Sequence, residues 1–424
     1  MGETTPNAEQ ISLWQPLKIR EFRLLFIGES VSLLGDQFYL VALPWLTLQI
    51  TGSGMSLGGV LMAVAIPRAI LMLIGGVLSD RVSPRWIMLA SNVLRAGLTT
   101  ILALLVLFQA TQLWQLYLLA ISFGIVEGFF NPAAETIIPT LVPEELLITS
   151  NVLGQGVMQM TSLIGPALAG ALIASLGIGV AFVVDAVSFV VSTVSLLLIR
   201  TKSSSTIAAP NSQPAIHLSL RNRIKGLITG ISEGLNYCWQ HRSLRIILLV
   251  LTVLNFLLMG PLQVGIPALA YERFAADPIA LGSMTSAWGA GGLIGTLTPQ
   301  WLPQLPRLGV LMLILASIQA AGMVTLGFIP VMLISSLVIA ILGWCSSFFV
   351  VAGTTWIQTI APPEILGRVM SITMLSSLGI TPFSYAMAGL VANSSLVLLF
   401  SGTGGIMLAV LGLLALNRDI RTIE

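Results

Sequence analysis

Residues 57–78 read LGGVLMAVAIPRAILMLIGGVL, a short loop SDRVSPR follows at 79–85, and a second apolar run, WIMLASNVLRAGLTTILALLVLF, occupies 86–108. The hydrocarbon core of a bilayer takes about 20 consecutive, mostly apolar helical residues to cross. Both runs have that length, and each holds one charged side chain, Arg68 in the first and Arg95 in the second. The loop between them gathers Asp80, Arg81 and Arg85. A chain patterned this way crosses a membrane, turns, and crosses back.

The pattern recurs outward from this pair. Twelve stretches qualify, at 24–50, 57–78, 86–108, 113–134, 149–174, 178–199, 246–268, 279–298, 308–328, 331–353, 369–391 and 396–416. The composition agrees: of 424 residues 56% are apolar and 8% charged, with a mean hydropathy of +0.96. A soluble domain carries about 25% charged residues, so most of this surface faces lipid. The expected fold is an all-α integral membrane protein of twelve transmembrane helices. The first 20 residues lack a basic start and an apolar core, so they do not read as a cleaved leader.

Lys and Arg fix the orientation, because they collect on the cytoplasmic side. An even number of spans puts both termini on one side. Of the 19 Lys and Arg, sixteen then fall on that side, Arg273 alone falls on the other, and Arg68 and Arg95 lie inside spans. Both termini are therefore expected in the cytoplasm.

Residues 201–243 interrupt the spans. Ser203-Ser204-Ser205 through Pro214 reads as a loop. Ile224, Leu227, Ile228, Ile231 and Leu235 share one helical face, so an amphipathic helix is expected over 220–240, either on the membrane surface or in solution. This divides the chain into a tail at 1–20, a six-helix bundle at 21–200, a linker at 201–243, a second six-helix bundle at 244–416 and a tail at 417–424. The halves echo each other: Thr140-Leu141-Val142-Pro143-Glu144 matches Thr359-Ile360-Ala361-Pro362-Pro363-Glu364, and Phe22-Arg23 matches Leu244-Arg245. Both offsets are about 220 residues, as a parallel repeat with a site between its halves would give.

The 6+6 layout resembles the major facilitator superfamily over nearly the whole chain. The loop quoted above, taken from Gly76 through Asp80 and Arg81 to Arg85, is similar to that family's signature Gly-x-Leu-x-Asp-Arg-x-Gly-Arg-Arg, with Ser83 and Pro84 replacing the Gly and a basic residue. Leu34-Gly35-Asp36, Pro67-Arg68, Glu233-Gly234-Leu235 and Gly367-Arg368-Val369 resemble the bacterial branch of macrolide-efflux and enterobactin-export proteins. Gly165-Pro166 and Gly170 on the fifth span resemble the Gly-Pro-x-x-Gly-Gly element of drug:proton antiporters, with Ala169 in place of a Gly. The resemblance implies a plasma-membrane transporter working as a monomer, and implies export more weakly than family membership. It also implies that Asp80 faces the start of the eleventh span, where a helix N-terminus attracts a carboxylate. With Gly76, Arg81, Arg85 and Glu135 it would form a conformational latch, Glu135 pairing with Arg81 or Arg85.

Ionisable groups inside spans carry the most information. Each costs about 2.5–3.5 kcal/mol at mid-helix on insertion scales and needs a partner or a wet cavity. The first half holds Glu29, Asp36, Arg68, Arg95, Glu127 and Asp185, and the second half's spans hold none away from their ends. Proton coupling is therefore expected in the first half. Matched depth pairs Asp36 with Arg68 and Arg95 with Glu127. Glu29 is left without an obvious partner, which makes it the expected proton site, whereas Asp185, near the outer end of its span, reads as structural. Candidate cavity polars in the second half are Asn255, Gln263, Gln319, Trp344, Gln358 and Tyr385. Prolines inside spans, among them Pro166, Pro261, Pro267 and Pro382, free backbone groups and kink helices.

The leading function is proton-coupled export of an amphipathic or lipophilic small molecule by alternating access. An importer or facilitator of the same fold is the second reading, and a non-transporting membrane receptor the third. An enzyme is not expected: His217 and His241 are the only histidines, with no nucleophile or metal constellation beside them. No Gly-x-x-x-x-Gly-Lys loop for ATP occurs. Cys238 and Cys345 have no metal-ligand spacing, no cofactor is implied, and a net charge of +2 gives no argument for nucleic acid.

Overall fold

The computed structural model describes residues 12–79, 82–200, 235–236, 239–240, 242–301, 308–360 and 363–415, and no β-strand occurs among them. The expected linker helix falls almost wholly outside these residues, as do Asp80, Arg81 and the tail at 417–424. The helices are α1 (Arg20–Thr51), α2 (Gly54–Ser79), α3 (Pro84–Leu107), α4 (Leu113–Leu141), α5 (Leu147–Leu176) and α6 (Ile178–Leu198). They continue as α7 (Arg242–Gly260), a π-helical turn at Pro261–Gly265, α8 (Ile266–Arg273), α9 (Pro278–Trp301), α10 (Leu308–Leu326), α11 (Met332–Ile360), α12 (Pro363–Ala392) and α13 (Leu396–Ala415).

Eleven helices, counting Leu248–Arg273 as one, are long and apolar enough to cross a membrane among the described residues. Twelve were expected. The stretch at 279–298 does form a helix, α9, of 24 residues, but Ser283, Thr285, Ser286, Thr296, Thr298 and its glycines hold it below the apolarity of the others.

Short turns keep sequential helices antiparallel. Gly52 ends α1 in the left-handed region at φ 60, its N–H donating to the Leu48 carbonyl at 2.7 Å. Gly177, at φ 89, is the only residue between α5 and α6. Both conformations suit a residue without Cβ. Arg273 donates to the carbonyls of Leu326 (3.3 Å), Gly327 and Ile329 (3.2 Å), placing a cation at the negative end of α10. Lipid can satisfy no backbone group, so such caps matter at every turn near the hydrocarbon. Ile148, Leu333 and Leu337 project outward at 78%, 80% and 62% exposure, and Trp14, Trp86 and Trp114 are exposed near helix starts. That is the surface of a protein bathed in lipid with indoles near the interfaces.

The first six helices and the rest use corresponding pairings. As α2 packs on α4, α3 on α6 and α1 on α5, so α9 packs on α11, α10 on α13 and α7 on α12. Two seams join the groups. In the first, between α5 and α9, a Cβ on Gly170 would lie 3.1 Å from Gly282 Cα, and one on Gly289 would meet the Ser162 carbonyl at 2.4 Å. In the second, between α2 and α12, Gly58 faces Gly389, with Cβ-to-Cα distances of 2.9 Å and 3.1 Å in the two directions. Small residues let backbones touch where no hydrophobic force separates helix from lipid. Ser53 Oγ donates to Asn393 Oδ1 at 3.0 Å beyond the end of the second seam. These contacts close the face that carries the α1–α2 turn, opposite the face where α1 begins and α13 ends.

Gly282→Val places two methyls against the Pro166 carbonyl and Gly170. We expect it to cost the closed seam about 1–3 kcal/mol, the usual overpacking range. Oxidative cross-linking of cysteines at 53 and 393 measures this: the yield falls in Gly282→Val relative to the same pair in the parent background.

Candidate functional site

Arg95 is the centre of the site. It sits on α3, is 2% exposed, and stands 4.1 Å from the ring centre of Phe130, 5.4 Å from that of Phe189 and 5.7 Å from that of Phe123. A guanidinium stays charged inside a protein, and aromatic faces are among the few apolar surfaces that attract a cation. Glu127 on α4 supplies the counter-charge. Its Oε1 lies 3.9 Å from Arg95 Nη2 and its Oε2 3.3 Å from Arg68 Nη1. One carboxylate thus bridges guanidiniums from α2 and α3.

Three further acids surround this bridge. Glu29 Oε1 accepts from Ser192 Oγ at 3.1 Å, and Ser192 Oγ accepts from Asn92 Nδ2 at 2.9 Å. Asp185 is wholly buried; its Oδ2 accepts from Thr99 Oγ1 at 3.5 Å, and its Oδ1 has no hydrogen-bond partner. Asp36 lies within Coulombic reach of Arg95 and Glu127 but makes no hydrogen bond or ion pair among the described residues. Four carboxylates against two guanidiniums leave a formal charge of −2 in an apolar setting.

The expected Asp36–Arg68 pair does not form. Arg68 turns to α4 because Gly124 and Gly128 bring that helix onto α2: a Cβ on Gly124 would sit 2.2 Å from the Val64 carbonyl, and one on Gly128 2.7 Å from Leu71 Cβ. Contact between α1 and α2 is slight by comparison. Arg95 and Glu127 do meet. Asp185 lies within Coulombic reach of Asp36 and Arg95, and Glu29 has a partner in Ser192. Sequence reading named Asp185 but passed over Ser188, Ser192 and Ser195, which with it are all buried. Their spacing of three, four and three residues is a polar stripe along α6, a signal present in the sequence. Gly28 and Gly35 of α1 abut it, with Cβ positions 2.7 Å from Ser195 Cβ and 2.6 Å from Ser188 Cβ.

Of the expected latch residues Asp80 and Arg81 lie outside the described residues, and Arg85 is placed differently from expectation. Arg85 donates from Nε to the Leu196 carbonyl at 2.8 Å and from Nη2 to that of Leu197 at 3.0 Å, capping α6. It makes no pair with Glu135. Gly76 lies near the end of α2 with open space around its Cβ position. Glu135 instead lines a cavity of about 590 Å³ with Glu29, Ser30, Asn131, Asn151 and Gln155. Its apolar wall includes Phe22, Phe26, Met72, Met88, Phe130 and Met158, and no Lys or Arg among the described residues lines it. The cavity runs from Glu29 to the ends of α1, α4 and α5 on the face where α1 begins. A smaller one of about 230 Å³ lies between Arg68, Met72 and Asn131 on one side and Met374, Leu378 and Thr381 of α12 on the other.

None of the six second-half polars lines either cavity. Asn255 donates to the Leu251 carbonyl (3.1 Å) and Ser377 Oγ (3.3 Å), tying α7 to α12. Trp344 Nε1 donates to Thr298 Oγ1 at 2.8 Å, tying α11 to α9. Gln319 is buried, Gln263 and Gln358 are exposed, and half-buried Tyr385 presents its carbonyl to Gly58. Gly165, Pro166 and Gly170 lie in the α5 contacts. Gly165 abuts Gln37 of α1, and the Ala167 N–H beside Pro166 donates to Ser286 Oγ of α9 at 2.9 Å.

Two corresponding helix sets, joined by glycine seams, with a small cavity between them and a larger, acidic one within the first set, match a known family. The model of the Major Facilitator Superfamily matches residues 25–384. The chain belongs to the Major Facilitator Superfamily. Among its relatives are the multidrug efflux pump Tap of Mycolicibacterium fortuitum, 26% identical over 85% of this chain and 86% of that one, and the macrolide efflux protein A of Streptococcus pyogenes, 25% identical over 83% and 84%. The fold is that of a solved peptide transporter crystallised with sulfate, at a TM-score of 0.74 and 14% identity over 98% of this chain and 99% of that one. The chain is thus a multi-pass membrane transporter of this superfamily.

Replacing Arg95 with Leu leaves Glu127 only Arg68 and takes the buried cation away from the other three acids. Removing one partner of a buried pair costs about 3–5 kcal/mol, so Arg95→Leu is expected to lower the unfolding temperature in detergent sharply. Arg95→Lys restores the charge but not the flat contact with three rings, and is expected to recover only part of the loss.

Proposed function

We propose that this transporter is a proton-coupled exporter of cationic amphipathic small molecules, working by alternating access. The carrying observation is the large cavity. It offers Glu29 and Glu135, several amides and a wall of Phe and Met, with no basic side chain among the described residues that line it. Such a lining attracts a positive charge on an apolar body, and flexible Met side chains adapt to varied shapes. Glu29 belongs to both cavity and charge cluster, so it is the group at which a proton and a cation exclude each other. The excess of two carboxylates in the cluster leaves room for protons to complete the charge balance. Efflux is supported by the names of the two relatives above, a multidrug pump and a macrolide efflux protein.

In this reading the chain has twelve spans, α9 being the one that falls short on apolarity alone. It is split into halves at 21–200 and 244–416, with both termini in the cytoplasm of a bacterium and the large cavity facing inward. The corresponding helix pairings support a parallel repeat. Asp36, Arg68, Arg95 and Glu127 transmit the charge state of Glu29 to the packing of α1–α4. The seam residues Pro166 and Gly170 are where the halves part, while Gly165 packs against Gln37 of α1. The chain acts as a monomer. Import or facilitated passage by the same fold is the competing reading.

The test uses inside-out vesicles holding the purified protein, an acidic lumen, and ethidium as the cationic probe. We expect the parent protein to concentrate ethidium and to ignore an anionic dye of similar size. Glu29→Gln and Asp36→Asn are expected to abolish gradient-driven accumulation while the protein remains folded. Glu135→Gln raises the half-saturating ethidium concentration by about tenfold, the effect of losing roughly 1.4 kcal/mol of attraction. Uptake that is indifferent to the pH gradient would refute coupling and favour the facilitator.

A further inference from the structure

Span seven is irregular at its middle. α7 ends at Gly260, a π-helical turn covers Pro261–Gly265, and α8 follows with Pro267 near its start. At the end of α7 the hydroxyl of Ser384, from α12, touches both members of one helical hydrogen-bonding step. It accepts from the Gly260 N–H at 2.7 Å and donates to the Phe256 carbonyl at 2.5 Å. Gly260 makes this approach possible: a Cβ there would lie 2.6 Å from Ser384 Oγ and 2.2 Å from the Ser384 carbonyl. Ser384 is wholly buried, so no water substitutes for it from bulk.

The next residue along α12 belongs to the seam between the helix groups. A Cβ on Gly58 of α2 would meet the Tyr385 carbonyl at 2.4 Å. The segment that holds the irregular step of α7 is therefore the segment that closes α12 on α2. A side chain that enters an i→i−4 ladder bends the helix it enters, and π-helical turns concentrate at moving parts.

We propose that Ser384 is a positioning residue that pins the break in span seven to the closed α2–α12 seam, so that opening the seam withdraws the hydroxyl and lets α7 and α8 re-aim. The proposal rests on the alternating-access reading. The pin contributes hydrogen bonds only in the state seen here, so it favours the state closed at the face of the α1–α2 turn.

The experiment is pulsed electron–electron resonance on full-length protein in nanodiscs, with Cys238 and Cys345 replaced by Ala and spin labels at Phe108→Cys and Phe328→Cys. Both label sites are exposed, at 77% and 64%. In the parent two distances are expected, the shorter one dominant. Ser384→Ala should shift the ratio toward the longer distance by about fivefold or more, the worth of two hydrogen bonds. Ser384→Thr, which keeps the hydroxyl, should restore the parent ratio. Should Ser384→Ala fail to fold, Ser384→Cys, nearly the same size with a weaker hydrogen bond, is read in its place. A parent-like ratio in the variant lacking the hydroxyl, beside a two-state parent, overturns the pin alone. A single unchanging distance in the parent removes alternating access, and the pin with it.

Discussion

An arginine that cannot shed its charge must find compensation where the surroundings are lipid and apolar side chains. Arg95 meets that constraint with one shared carboxylate and three aromatic faces, and the compensation dictates much of the first six helices. Glu127 has to stand between α2 and α3 to serve Arg95 and Arg68 together. Phe130 and Phe123 have to come from the same helix as Glu127, and Phe189 from α6. That in turn brings the polar stripe of α6 against the glycines of α1, where Glu29 and Asp36 sit. The helices are oriented about their axes by one buried cation.

Backbone approach is the complementary device. Where the two helix groups meet, no charged pair is seen among the described residues. Contact is made by Gly170 on Gly282 and Gly58 on Gly389, with hydroxyls at Ser286 and Ser53. Such a seam has good packing but few strong directional bonds, so it can part without stranding a charge in oil. The charged network inside α1–α6 has the opposite character: opening it would isolate Arg95 or Glu127. Rigid within the group and separable between groups is the mechanical division that the proposed cycle needs.

Depth in the membrane was legible from the sequence, and rotation about the helix axis was not. Position along a span sets depth, so Arg95 and Glu127, on consecutive helices joined by a short turn, could be matched. Asp36 and Arg68 also match in depth, yet Arg68 faces α4 because glycines at 124 and 128 draw α4 onto α2. Helix packing decides that azimuth, and a single sequence shows it only through the placing of small residues. The stripe of Asp185, Ser188, Ser192 and Ser195 was equally readable by the same periodicity, but attention to charge alone hid it. The second-half amides illustrate a different limit. Asn255 and Trp344 hydrogen-bond to neighbouring helices, and composition cannot distinguish a polar group used for packing from one left open.

The two helix groups differ in chemistry while sharing corresponding pairings, and the division has a physical logic. In the proposed reading, a cavity wall that carries net negative charge attracts a cation and a proton to the same place, so the first group holds both recognition and coupling. The second group then needs no charge of its own. It needs to bend and to seal. In the proposed cycle its span seven, irregular between Pro261 and Pro267 and held by a hydroxyl from α12, bends, and its Gly282 and Gly389 seal. Moving ionisable groups into that half would place new buried charges next to a seam that must open. Each would need a partner in both states, and a partner across the seam is present in only one of them.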